Sequence, residues 1–426
     1  MDVSNFIKSN RLDVNITKYV EDCEKFVLEM KLGLKEADLG LPMIHTFISD
    51  EGEIPINEEI VVVDAGGTNL RVATVSFNKD KQPKISNFTR YDMPGVFEEV
   101  TADELFKTIA SYIEPYLISC DRVGICFSYM SESTKDKDAI ALELSKEVKV
   151  RGIKGKMICA EIKKVLAERG ITGKTFTLVN DSVATLLAGK INAASDKHIG
   201  YILGTGQNIC YSEKIENISR LVRTDTDSST MIINVESAYY SGYEYGRIDD
   251  VFDSKSENPG AHRFEKMVSG AYLGGITLAV LQTAAEEGLF SKSAAEKILK
   301  LDRLSLVTVG EYYTDNLGDN ILAECFGASE NDTETAVKLI DTVMKRAAYL
   351  NALVIGAGLL KSEAGTNKEK PAVICIDGTT YYKMEWLRKY IKEFYETLII
   401  GKLKRHFVEI KVEEAPIIGT AVAALT

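Results

Sequence analysis

Over the first 48 residues apolar positions return every three or four residues, as in YVEDCEKFVLEMKLGLKEA, and this spacing predicts amphipathic helix from about 5 to 48. The rhythm then changes. EEIVVVDA, LRVATVSF and PKISNFTRY are rich in β-branched residues and predict three strands in succession. ADELFKTIASYIEPYL returns to the helical period, and RVGICFSYM reads as a buried strand. GKMICAEIKKVLAERG is a helix that stops on Gly170, TFTLVN a strand, and NDSVATLLAGK a helix that starts at once after it. KHIGYILGTG and QNICYSEK form a strand–turn–strand, and MIINVE follows. Helical patterns then dominate: FEKMVSGAYLGGITLAVLQTAAEEG and TETAVKLIDTVMKRAAYLNALVIGAGLL. A strand, AVICIDGT, a helix, MEWLRKYIKEFYETLI, and a small-residue helix start, EAPIIGTAVAAL, close the chain.

Two features of this order matter. Strand–turn–strand pairs with glycine at the turn occur twice, at Asp64–Asn69 and at Gly204–Asn208, and each is followed by further strands and helices. The repeat is one of organisation rather than of residue identity, and it predicts two related α/β halves facing each other across a cleft. A length of 426 residues suits two domains.

Composition narrows the function. The net charge is −12, and no basic stretch is long enough to line a nucleic-acid groove. No apolar run is expected to approach membrane-spanning length, and MDVSNFIKSN lacks the apolar core of a secretory signal. Seven cysteines without a C-x-x-C pair argue against zinc or disulfide frameworks and for a reducing cytoplasm.

Four stretches carry candidate chemistry, each with a plainer reading beside it. DAGGTN is a hairpin turn by its glycines. The same glycines let backbone N–H groups approach an anion, and Asp64 beside them suits Mg²⁺ held through water. GTGQN is a second hairpin, or a second phosphate turn built on Gly204, Thr205 and Gly206. In LVNDSVATLLAG, Asn180, Asp181 and Ser182 are all good helix caps. An Asp there also stands at the mouth of a sheet, where it can accept a proton from a substrate hydroxyl. The helix N-terminus is expected to stabilise that anion and lower its basicity. Asn208, Glu236 and Glu265 are surface residues by default; gathered together they would suit a polyol, since a carboxylate accepts from two hydroxyls.

In order and rough spacing, DAGGTNLRVATV, FSYM, LVNDSVATLLAG, ILGTGQNICY, INVE, FEKMVSGAYLGGI and CIDGTTYYKM resemble the hexokinase family, as does LPMIHTFI ahead of them. The resemblance runs from about residue 15 to the end. It implies an α/β, actin-like two-domain fold with a cleft between duplicated ribonuclease-H-like halves. The small domain would be residues 50–180 plus about 412–426, the large domain 1–49 plus 181–411. It implies transfer of the γ-phosphoryl group of ATP, with Mg²⁺, to the 6-hydroxyl of glucose or a related hexose, with closure of the domains on the sugar. The implied partners are hexose and ATP, with no nucleic acid or membrane, for a monomer or homodimer. Carried over by position, Asp181 is the general base, and Lys146 meets sugar and transferring phosphoryl charge. Ser128, Ser145, Asn180, Asn208, Glu236 and Glu265 contact the sugar. Asp64, Gly66, Gly67, Thr68 and Asn69 form the first phosphate loop, Gly204, Thr205 and Gly206 the second, and Gly378 and Thr379 touch the nucleotide.

The chain also departs from the family. Trp-Thr-Lys-Gly-Phe reads LSKEVKV here, INMEWG reads INVESA, and Asp-Gly-Ser-Gly-Lys-Gly reads Glu414-Ala415-Pro416-Ile417-Ile418-Gly419. The last change removes polar groups expected near the nucleotide. It leaves open a hexose-binding sensor with little catalysis, or a kinase using ADP or pyrophosphate. A non-sugar actin-like ATPase is opposed by Asn180–Asp181, Asn208, Glu236 and Glu265.

Overall fold

The computed structural model describes residues 2–144, 148–192, 195, 197–221 and 228–426. Two sheets organise it. In the first, Ile60–Gly66 pairs antiparallel with Asn69–Phe77, which pairs with Pro83–Asp92; on its other side Ile60–Gly66 pairs in parallel with Arg122–Phe127, and that strand with Thr175–Val179. In the second, His198–Leu203 pairs antiparallel with Gln207–Lys214, which pairs with Thr230–Asn234; His198–Leu203 also pairs in parallel with Ala372–Asp377, and that strand with Phe407–Ile410. Numbered along the chain, both sheets have the order 3-2-1-4-5, so the repeat anticipated from the turns is one of topology. The second sheet gains an edge pair, Ile44–His45 against Thr230–Asn234.

Two helices fill the space between the sheets. Asp181–Asn192 leaves the last strand of the first sheet, and Ala415–Leu425 lies against it. All eleven residues of Ala415–Leu425 are buried. Its apolar side chains share one core with Ile60, Val62 and Val75 of the first sheet and with Cys210, Ile232 and Cys375 of the second. Each fully buried side chain of the size of Ile417 or Leu425 contributes roughly 1.5–3 kcal/mol. Contact between the helices needs glycine, because a Cβ on Gly419 would lie 1.7 Å from the Ala184 carbonyl oxygen. All seven cysteines are free and buried.

Three expectations change. The N-terminal stretch is not continuous helix: Val3–Ser9 and Tyr19–Lys35 are separate, and Ile44–His45 leaves the helical path to pair with the second sheet. FEKM precedes the helix it was read into, which starts at Gly270. Contrary to the membrane reading, the helix Glu330–Lys361 is long and apolar enough to span a bilayer, yet 89% of its most apolar window is buried inside the protein. Over residues 346–359 every position is buried, which suits the centre of a large core.

Candidate active site

The first turn is built tightly. Gly66 pairs with Asn69, so only Gly67 and Thr68 make the bend. Gly67 has φ +57° and open space where a side chain would stand. The Tyr129 hydroxyl donates to the Gly67 carbonyl at 2.8 Å, and a Cβ on Gly66 would lie 2.9 Å from Ser128 Oγ. Ser128 therefore stands beside the turn, as expected of a residue facing the same cleft. Asp64 is buried and lies opposite Arg71 across the hairpin. Arg71 Nε donates to its Oδ2 at 2.6 Å, and Arg71 Nη1 donates to Glu414 Oε2 at 2.7 Å. Burial raises the Asp64 carboxyl above its ordinary range, and Arg71 opposes that shift.

The second turn is held from below. The Gly204 carbonyl accepts from Gly270 N at 2.9 Å and from Thr380 Oγ1 at 2.8 Å, and the Thr205 carbonyl accepts from Ala271 N at 3.1 Å. Gly378, at φ +119°, passes so close that a Cβ would sit 2.3 Å from the Leu203 backbone. This brings Gly378 and Thr379 next to Gly204–Gly206, which places the two nucleotide segments expected from sequence together. Thr68, Asn69, Thr205 and Thr379 are exposed.

Asp181 opens the central helix at the carboxyl end of a parallel strand. The capping reading of this stretch holds, and Asp181 stands at the mouth of the sheet. The Asn180 Oδ1 accepts from Ser182 N at 2.9 Å and from Ser182 Oγ at 2.7 Å, which is capping. With that oxygen engaged, Asn180 has its Nδ2 donor to offer a ligand. Asp181 Oδ1 accepts from Ser182 N at 2.8 Å, a bond that lowers its pKa. Burial outweighs that bond, and the charges of Asp377, Glu236 and Asp64 add to it, so Asp181 is pushed up to about 7. The lowered basicity expected at a helix N-terminus is thus reversed by desolvation and by like charge.

Asn208, Glu236 and Glu265 do gather. Asn208 Nδ2 lies 3.3 Å from Glu236 Oε1, and Glu265 Oε1 accepts from Gln207 N at 2.8 Å, directly after the second turn. Glu236 has φ 55°, a conformation that non-glycine residues adopt at a cost. Burial raises its pKa, while Asn234 and Asn208 lower it. Glu265 is pushed up to about 7, by burial first, and is also affected by the charge of Glu236. Ser145 and Lys146 lie outside the described residues.

Three residues here escaped the sequence reading. Arg71 lies in the first motif but carries no obvious role until its pairing with Asp64 is seen. Asp377 is the acid of the Asp-Gly-Thr segment. Asn234 ends its strand two residues before Glu236, which lies in a left-handed turn, so no strand periodicity links the two in sequence.

Among the described residues no group of three or more His, Cys, Asp or Glu is arranged to hold a metal ion directly. The cleft nonetheless carries surplus negative charge, since Asp64 and Asp377 both push Asp181 upward. That pattern fits a hydrated Mg²⁺ arriving on a polyphosphate, with Asp64 meeting it through water.

Comparison with known proteins bears on this cleft. Two family models, both described as Hexokinase, match residues 5–191 and 198–426. A hexokinase-like protein 1 of Arabidopsis thaliana is 32% identical, with 96% of this chain and 90% of that one covered. Hexokinase-1 of Homo sapiens is 27% identical, with 88% of this chain and 42% of that one covered. Among solved structures, a hexokinase from Schistosoma mansoni complexed with glucose superposes with a TM-score of 0.79 at 22% identity, covering 99% of this chain and 98% of that one.

Proposed function

The chain belongs to the hexokinase family, and from that premise we propose that it transfers the γ-phosphoryl group of ATP to the 6-hydroxyl of glucose or a related hexose. The observation that carries this reading is the convergence of Asp181, Asn208, Glu236 and Glu265 between two glycine turns.

In this mechanism Asn208, Glu236 and Glu265 hold sugar hydroxyls from the large half, with Asn180 donating through Nδ2. Ser128 holds the other face, and the family resemblance assigns sugar contact to Ser145 and Lys146 as well. Asp181 accepts the proton of the 6-hydroxyl as its oxygen attacks phosphorus. A carboxyl with pKa about 7 is a useful base near neutrality. Phosphoryl transfer passes through a loose transition state, so positioning and charge stabilisation matter more than early deprotonation. The backbone N–H groups of the two turns would receive the phosphates, and Asp64, oriented by Arg71, would hold a hydrated Mg²⁺ through water. When bound, Mg²⁺ neutralises charge on the phosphate oxygens. Closure of the halves over the sugar excludes water as a competing acceptor. The free buried cysteines accord with a cytoplasmic location.

The test is a coupled assay of glucose phosphorylation with ATP and Mg²⁺, run beside Asp181→Ala. The expected result is turnover that drops by about 10²–10⁴-fold in the variant while glucose still binds. Wild-type protein that binds glucose without turning over would favour a sensor or another phosphoryl donor. Turnover retained by Asp181→Ala would remove Asp181 from its role.

A further inference from the structure

Asn234 ends the strand Thr230–Asn234 and is buried, yet every polar atom of its carboxamide is engaged. Its Oδ1 accepts from Asn208 Nδ2 at 2.7 Å and lies 3.4 Å from Ser182 Oγ. Its Nδ2 donates to Glu236 Oε1 at 2.7 Å. The direction of each bond is fixed, because a carboxamide oxygen only accepts and its nitrogen only donates. Asn208 is fixed in the same sense, since its Oδ1 accepts from Ile209 N at 2.8 Å. Two amide nitrogens therefore converge on one oxygen of Glu236. The other oxygen of Glu236 remains for a ligand.

We propose that Asn234 is a positioning residue of the hexose site: its carboxamide sets the orientation and the ionised state of Glu236 and aligns Asn208. The proposal rests on the hexose-kinase reading of the cleft. Its physical basis is that a half-buried carboxylate in a left-handed turn would otherwise protonate or rotate. The donors from Asn234 and Asn208 oppose the effect of burial on Glu236. The other charged groups around this network are Asp181, Asp64 and Asp377 on the catalytic side, and Glu265 with Lys266 on the sugar side. Lys266 is the cation of that set, so Glu236 depends chiefly on neutral amide donors.

The decisive variant is Asn234→Asp, which keeps the shape and removes the obligate donor. At high pH two carboxylates would face each other at Glu236 Oε1. At lower pH they share one proton, which restores a donor pointing at Glu236 and an acceptor facing Asn208. The quantity to read is kcat/KM for glucose, variant over wild type, at each pH across the assay range of about 6 to 9. We expect the ratio to fall by about 10- to 100-fold across that range, as for loss of a hydrogen bond to a charged group. Asn234→Ser cannot bridge Asn208 and Glu236, and should lower kcat/KM by a similar factor at every pH, mostly through KM. Calorimetric glucose affinity and thermal midpoint are measured on the same samples. A pH-independent ratio for Asn234→Asp would overturn the proposal, as would kcat/KM of Asn234→Ser within about twofold of wild type. If Asn234→Asp does not fold, the Asn234→Ser result decides. Wild-type protein that neither binds nor phosphorylates any hexose would instead remove the parent reading, and this inference with it.

Discussion

Asp181→Asn should make the ligand-free protein more stable while removing its activity. Asp181 is pushed from 3.8 up to about 7, so the folded protein binds its proton more tightly than the unfolded chain does. Such a group favours folding fully below its unfolded pKa, and that contribution is lost as pH rises through the folded value. The window is therefore about pH 4 to 7, and above it the fold holds an ionised carboxylate at a cost. At about 1.4 kcal/mol per tenfold change in proton affinity, the cost is at most about 4 kcal/mol. Asp181 is half-buried, so solvent screening reduces this to about 2 kcal/mol. Asparagine keeps the oxygen that accepts from Ser182 N and carries no charge. Thermal melts of wild type and Asp181→Asn without ligand should therefore coincide near pH 4. At pH 8 the variant should melt roughly 2–4 °C higher, given the unfolding entropy of a chain this long. A variant less stable at pH 8, or a shift that is the same at both pH values, would refute the electrostatic account of this site.

Wild-type kcat/KM for hexose should fall steeply below about pH 7, because Asp181 and Glu265 both sit near that value; a pH–rate profile with slope between one and two is expected. Arg71→Met leaves Asp64 without its cation and should destabilise the protein by about 2–3 kcal/mol at pH 8, with the penalty shrinking as pH falls because burial favours the protonated Asp64 carboxyl; denaturant melts at the two ends of the pH range check this. Gly206→Ala drives a methyl to 2.7 Å from Glu265 Oε1. It should raise the hexose KM by about tenfold or more with little change in melting temperature, although the residue lies in a phosphate turn.

The fold was largely readable because its signals are local. VVVDAGGTNLRVATV carries a buried strand, a glycine bend and a second strand within fifteen residues, and the structure forms that hairpin. Asn180 is legible as a cap for the same reason, whereas Ser182, also a candidate, is the donor to it. Relations between distant residues were not legible. Arg71 and Glu414 meet across more than three hundred residues, and nothing local to EAPIIGTAVAAL announces that its first residue reaches the first hairpin. The basicity of Asp181 failed for a related reason. Its helix position is visible in sequence, whereas the burial and the neighbouring Asp377 and Glu236 that override it come from other strands. Asn234 was hidden differently: in isolation it is one more polar residue at a strand end.

The helix Ala415–Leu425 has a consequence for how the chain acquires its shape during synthesis. The first sheet is complete in sequence at Val179, yet its inner face is covered by a helix encoded about 240 residues later. At translation rates of about 5–20 residues per second, that face waits on the order of 10–50 s before its cover exists. Until then Val62, Val75 and their neighbours are bare apolar surface on a formed or forming sheet. The acquisition of the cleft is thus a late event, and the N-terminal half carries that apolar face uncovered until Ala415–Leu425 has been made.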